Sequence, residues 1–233
     1  MVDGPLTTDN AAIMDFGMDS PHRMHTPLIH ALRPSIEMLA RAHRYRDPFT
    51  CQHQERVARF AVSIGAALGM PALRLEVLYL AAIVHDIGKL AVPAEIIAKP
   101  GKLSDPEYTL VQAHSAIGYD ILLQLHAPYS IADIVHQHHE RSDGSGYPCG
   151  LRGDAILEEA RVLAVADTFD AMSSYRPYRT ALPEDFVLGE LHKMAGHTLD
   201  RDPVEALARL VLTGKTVHPA TVSLVDADAD QVS

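Results

Sequence analysis

The amino-acid sequence predicts an all-α protein, a helical bundle forming one domain, and three observations carry that reading. Apolar residues recur three and four positions apart along most of the chain, the spacing of one helix face, while strand-like alternation is hard to find. Helix punctuation stands where these stripes begin. Pro34 and Pro71 suit first helical positions, where the missing N–H has no intrahelical partner anyway, and Ser104 with Glu107 spells a capping box. A chain of 233 residues with 47% hydrophobic composition can bury a sizeable core and reads as one domain, 27–218, with frayed ends.

Taken in order, residues 1–26 mix polar, Pro, Gly and Met residues without periodicity and read as a flexible N-terminal arm. A first helix is expected over 34–46. The second, over 50–69, carries Val57, Phe60, Ile64 and Leu68 on one stripe, and His53 lies one turn before Val57 on the same face. In the third, over 71–86, the stretch from Leu78 to Val84 is apolar on every side, so His85 and Asp86 at its end are delivered into the interior. A loop over 91–103 leads to a helix over 104–125 with the stripe Leu110, Ile117, Ile121 and Leu125, and His114 between the first two. In the helix over 130–139, Ile131 and Val135 share a face with His138, beside His139. A second loop, 140–154, precedes a helix over 158–174 in which Ala160, Leu163, Ala164 and Ala171 define an inner face with Asp167 in its middle. Helices over 183–195 and 203–212 close the domain, and 219–233, with Asp226, Asp228 and Asp230 alternating, reads as a disordered tail.

Any one of these histidines, alone, is best read as a core residue hydrogen-bonded to a carbonyl. Together they are different. Four imidazole stations and two carboxylates turned inward by five helices would fill the core with unsatisfied polar groups unless they converge on a cation. The sequence thus points to a buried metal site.

Composition narrows what such a site serves. A formal net charge of -10 argues against a surface that binds nucleic acid polymers, although a metal cluster would reverse the local field for a small anion. No apolar run approaches a membrane span and the N-terminus lacks a signal pattern, so a cytoplasmic location without membrane contact is expected. Cys51 and Cys149 form no CxxC motif and read as free thiols; Cys51, two residues before His53, is taken as structural packing. The loop Asp143-Gly144-Ser145-Gly146-Tyr147-Pro148 lacks the spacing of dinucleotide or P-loop motifs and follows a helix, not a strand. Its glycines instead permit a sharp turn beside the metals, with Tyr147 and Pro148 shaping one wall. Glu140, Arg141 and Asp143 are candidates for orienting the imidazoles.

His85-Asp86-Ile87-Gly88-Lys89 followed by His138-His139-Glu140-Arg141-Ser142-Asp143-Gly144-Ser145-Gly146-Tyr147-Pro148 resembles the HD-GYP family, HD-domain phosphohydrolases that cleave cyclic di-GMP. The likeness extends through 47–57, 99–103, 166–172 and Arg176-Pro177-Tyr178-Arg179, and spans about residues 35 to 213. It implies the HD-domain helical bundle around a buried dinuclear site. His53, His85, Asp86, His114, His138, His139 and Asp167 would be the ligands, with Asp86 bridging two ions. It further implies that Lys89 joins Asp86 in catalysis and touches the scissile phosphate, that Arg176 and Arg179 hold substrate phosphates, and that Gly146, Tyr147 and Pro148 border the substrate. Some family members hold a third metal with a Glu one turn before the first His; Phe49 stands there, so two ions are expected. Ser115-Ala116 replaces a common Pro without removing a ligand.

The activity implied is metal-dependent hydrolysis of cyclic di-GMP to pGpG, GMP or both, by a hydroxide bridging two divalent metal ions that lower the pKa of water towards about 7. Iron or manganese is the expected metal; the donor types alone also suit cobalt, nickel and zinc. Three alternatives share the sequence features: a non-hydrolytic cyclic-dinucleotide sensor, a generic HD nucleotidase, and a module acting through signalling partners such as a diguanylate cyclase or a transcriptional regulator. A homodimer is compatible with all of them, and the choice between cyclic di-GMP and cyclic GMP-AMP is left open.

Overall fold

The structure, a computed structural model, describes residues 21–46, 48–127, 130–174 and 181–215. The helices among them are α1 (Pro21–Arg46), α2 (Pro48–Ala67), α3 (Ala72–Val84), α4 (Ala94–Ile97), α5 (Asp105–Gln112), α6 (His114–Leu123), α7 (Ile131–Gln137), α8 (Glu158–Ser173), α9 (Glu184–Met194) and α10 (Arg201–Thr213). Short 3-10 turns cover Ile87–Ala91 and Gly153–Ala155. Among the described residues there is no strand, only isolated bridges joining Asp143 to Arg152 and Ala195 to Leu199. The all-α expectation holds.

The most apolar helix lies in the middle. Every residue of α3 from Leu75 to Leu78 and from Leu80 to Val84 is buried, and α1, α2, α7 and α8 all pack against it. Helices α9 and α10 pack on α8, and α10 also reaches α2. Because α3 is enclosed, the residues after its last turn emerge in the core: His85, Asp86, Ile87 and Gly88 are all buried.

Three local readings are corrected. First, α1 begins at Pro21, so 21–26 of the expected arm are helical, and it runs through Pro34 instead of starting there. The exposed Pro34 lies between Ile29 and Ile36, both fully buried. Burying each isoleucine is worth about 2 to 3 kcal/mol, which together outweighs the ~3 kcal/mol of an interior proline. Second, the helix expected over 104–125 is two helices meeting at Ala113–His114, α5 and α6. Its stripe changes with the break: Leu110 is 50% exposed, and the buried face of α6 is His114, Ser115, Gly118 and Leu122. The 3-10 turn after α3 presses against this face so closely that a Cβ on Gly88 would sit 1.9 Å from the His114 carbonyl oxygen. Third, the loop over 91–103 contains α4. The capping box appears as expected, with Glu107 Oε2 accepting from the Ser104 N–H at 2.7 Å and its hydroxyl at 2.8 Å. No helix among the described residues is long and apolar enough to cross a membrane. Residues 1–20 and the expected tail over 219–233 lie outside the described residues.

Candidate metal centre

Three of the inward histidines are aimed by the same local device. His85 Nδ1 lies 2.7 Å from the Ala82 carbonyl, His114 Nδ1 2.6 Å from that of Val111, and His138 Nδ1 2.6 Å from that of Val135, each three residues earlier. A carbonyl can only accept, so each Nδ1 carries a proton, and in the neutral ring Nε2 is then left with a lone pair. Those lone pairs face one another: His114 Nε2 and His138 Nε2 are 3.3 Å apart, and His85 Nε2 has no hydrogen-bond partner. Opposed lone pairs and an orphaned buried nitrogen are unfavourable in a dry core, and a divalent cation is the group that would satisfy them.

The donors fall into two groups. The ligand atoms of His53, His85 and Asp86 lie within 4.8 Å of one another, as do those of His114, His138 and His139. Asp86 stands between the groups, with Oδ2 3.5 Å from His85 Nε2 and Oδ1 3.5 Å from His114 Nε2. Asp167, from α8, places Oδ1 3.1 Å from His53 Nε2 and 4.0 Å from His85 Nε2. The rings interlock, with centroids 5.2 Å apart for His85 and His138 and 4.0 Å for His138 and His139. All seven residues expected to hold metal therefore meet at one place.

Electrostatics suits that role. Burial would raise the Asp86 carboxyl, but Lys89 and then His85, His114 and His53 outweigh it and hold it well below the usual carboxylate range. For Asp167 burial is likewise overcome, chiefly by the hydrogen bond with His53. Burial, with neighbouring imidazoles adding to it, keeps His138 well below its ordinary value and lowers His139 to about 3; burial also lowers His114. These three rings are neutral at neutral pH, the form that binds metal. His53 behaves oppositely. Burial lowers it, yet hydrogen bonds with Asp167 and Asp170 raise it to about 9, because both of its nitrogens face carboxylates.

Lys89 Nζ is 2.7 Å from Asp86 Oδ2, so the 3-10 turn brings its ammonium to the edge of the cluster. Tyr147 forms the neighbouring wall, its ring centroid 4.7 Å from that of His139, and Pro148 beside it is exposed. Gly146 makes the wall possible: a Cβ there would lie 2.4 Å from the Arg141 backbone nitrogen and 2.5 Å from the His139 carbonyl. Arg176 and Arg179 lie outside the described residues, as do the side chains of Phe49 and Cys51.

The residues expected to orient the imidazoles do something else. Buried Glu140 accepts from the backbone N–H of Cys149 at 2.6 Å and of Leu151 at 3.0 Å, which folds the loop back on itself. Arg141 donates to the Glu140 carbonyl, and Asp143 accepts from the N–H and hydroxyl of Ser145. Glu140 lies one residue past the imidazole pair, where the chain has already left the cluster. Sequence reasoning missed Asp170 in return. Its Oδ2 is 2.7 Å from His53 Nδ1, and Arg56 grips both of its oxygens at 2.6 and 3.0 Å. The available signal was its spacing of three from Asp167, which puts both acids on one side of α8.

Comparison with known proteins agrees with this geometry. The HD-domain family model matches residues 37–202. The chain is 41% identical over 179 residues to the cyclic di-GMP phosphodiesterase response regulator RpfG of Xanthomonas campestris pv. campestris, covering 76% of this chain and 47% of that protein. It is 38% identical over 177 residues to a cyclic di-GMP phosphodiesterase of Thermotoga maritima, covering 75% and 48%. A solved cyclic GMP-AMP specific phosphodiesterase of Vibrio cholerae superposes with a TM-score of 0.51 at 32% identity, covering 76% of this chain and 40% of that one. The chain thus spans about half the length of the curated relatives it matches. With the His85-Asp86 pair at the heart of the cluster and the family match enclosing it, the chain belongs to the HD-domain family and is of the HD-GYP type.

Proposed function

We propose that this chain is a metal-dependent phosphodiesterase that hydrolyses cyclic di-GMP to pGpG, GMP or both. One observation carries the reading: two groups of buried donors meet on the two oxygens of Asp86, with the Lys89 ammonium at their edge. Relatives named for cyclic dinucleotide hydrolysis support the substrate class. His53, His85, Asp86 and Asp167 would hold one divalent ion, and His114, His138, His139 and the other oxygen of Asp86 a second; iron or manganese fits an all-nitrogen and oxygen donor set. When bound, such ions supply Lewis acidity towards a phosphate oxygen and lower the pKa of water.

The chain's own groups then have separate tasks. Lys89 neutralises charge that builds on the non-bridging phosphate oxygens, acting from its seat beside Asp86. The Ala82, Val111 and Val135 carbonyls keep three imidazoles from turning away as substrate enters. Tyr147, held by Gly146, bounds the substrate side of the cluster together with Pro148, and Arg176 and Arg179 are retained in this proposal as phosphate contacts. A cytoplasmic location accompanies the reading. A second substrate, cyclic GMP-AMP, is favoured by the Vibrio cholerae structure.

The test is Asp86→Ala in protein purified anaerobically, with metal analysis, circular dichroism and chromatography of the nucleotide products. Metal and turnover should be lost together while the protein stays helical. Full hydrolysis by the metal-stripped variant would refute the proposal, and unmutated protein that holds its metal yet turns over neither dinucleotide would favour the sensor reading.

A further inference from the structure

The two donor groups are not equivalent, and the difference begins with how their imidazoles are held. In the group nearer α8, His53 and His85 are joined by two carboxylates, Asp86 and Asp167. In the other, that of His114, His138 and His139, Asp86 Oδ1 is, among the described residues, the one carboxylate oxygen within 4.0 Å of an imidazole nitrogen, at His114, and Asp167 acts on His139 only from farther off, so the same divalent charge meets less negative charge there. The orienting partners differ as well. His85, His114 and His138 all lean on backbone carbonyls, whereas His53 Nδ1 faces Asp170 Oδ2 at 2.7 Å. Asp170 is 1% exposed and fixed from three directions: Arg56 Nε at 2.6 Å, an Arg56 terminal nitrogen at 3.0 Å, and the Ser174 hydroxyl at 3.0 Å. Arg56 offsets much of the carboxylate's charge, so Asp170 acts mainly by fixing the His53 ring against rotation.

We propose that the His53, His85, Asp86 and Asp167 group is the tighter of the two metal subsites and loads first, with Asp170, clamped by Arg56, as its positioning residue. The inference rests on the ligand assignment behind the proposed function. The clamp gives His53 the fixed orientation that the Ala82 carbonyl gives His85, so both imidazoles of this group give up little rotational freedom when a metal arrives, before any substrate is present. Loss of such an orienting partner lowers metal affinity by about 10- to 100-fold.

The experiment is calorimetric titration of the metal-free full chain with Mn2+ alone, without nucleotide. The wild-type protein should take up two ions in separate phases. His85→Ala should abolish the tighter phase, and His138→Ala should abolish the weaker one and keep the tighter. Asp170→Asn should weaken the tighter phase by about 10- to 100-fold and leave the weaker in place. Arg56→Lys, which keeps the charge but loses the two-pronged grip, should weaken the same phase less, and it answers the question should Asp170→Asn fail to fold. Uptake of both ions in one phase, an unchanged tighter phase in Asp170→Asn or Arg56→Lys, or a loss confined to the weaker phase would overturn the proposal. If His85→Ala and His138→Ala each lose one ion in the reverse order, only the loading order falls. If neither loses an ion, the ligand assignment under the proposed function falls with it.

Discussion

Gly88 is the residue at which the two halves of the cluster touch, and replacing it by alanine tests the architecture directly. An added Cβ would sit 1.9 Å from the His114 carbonyl oxygen, 2.8 Å from the carbonyl carbon and 2.7 Å from Gly118 N. Ordinary contact begins near 3.4 Å, so the 3-10 turn and α6 would have to separate by more than about 1 Å, and every obstructing atom is backbone. Overpacking of this kind costs typically 1 to 3 kcal/mol, and the rigidity of the obstacle puts Gly88→Ala at about 3 kcal/mol. In a domain of this size that lowers the melting temperature by about 6 to 12 °C. The same separation draws Asp86, two residues before Gly88, away from His114, whose Nε2 lies 3.5 Å from Asp86 Oδ1. Metal content should therefore fall as well. Differential scanning calorimetry with metal analysis reads both effects. Gly189→Ala is the control of opposite sign: Gly189 is in the interior of α9 with nothing within 4 Å of an added Cβ, so it should gain about 0.5 to 1 kcal/mol. A Gly88→Ala protein that melts with wild type and keeps its full metal complement would refute the close packing argued for this junction.

Two further outcomes are expected. The metal-free protein should lose stability as pH rises from 6.5 through about 9, because burial lowers His53 but its hydrogen bonds with Asp167 and Asp170 raise it to about 9. A folded value above the ordinary one stabilises fully below pH 6.5 and is lost as the ring deprotonates, a change of up to about 3 kcal/mol; metal affinity should rise over the same window as the competing proton leaves, and a flat melting temperature across it would sink the assignment. Glu140→Gln should destabilise by about 1 to 3 kcal/mol, because one carboxylate oxygen facing the Cys149 or Leu151 N–H becomes an NH2 group. Hydrogen exchange confined to the 140–154 loop measures it, and unchanged exchange at both amides would remove Glu140 as the anchor of that loop.

The sequence by itself determined which side chains enter the core. Period and enclosure sufficed for His53, His85, Asp86, His114, His138 and Asp167, because a helix face turned inward carries its polar residues with it, and chain adjacency added His139. It did not determine where a helix breaks under pressure from another element. The division at Ala113–His114 and the exposure of Leu110 follow from contact with a turn some twenty-five residues earlier, which no local window contains. Nor did it determine which atoms of the inward residues face one another. Only the tertiary structure decided that three Nε2 atoms converge, that Asp86 divides its oxygens between two groups, and that Asp170 with Arg56 steadies His53 across 117 residues of chain. Periodicity fixes a direction about one helix axis; the distance between two such directions is set by how the helices pack, and metal chemistry depends on that distance.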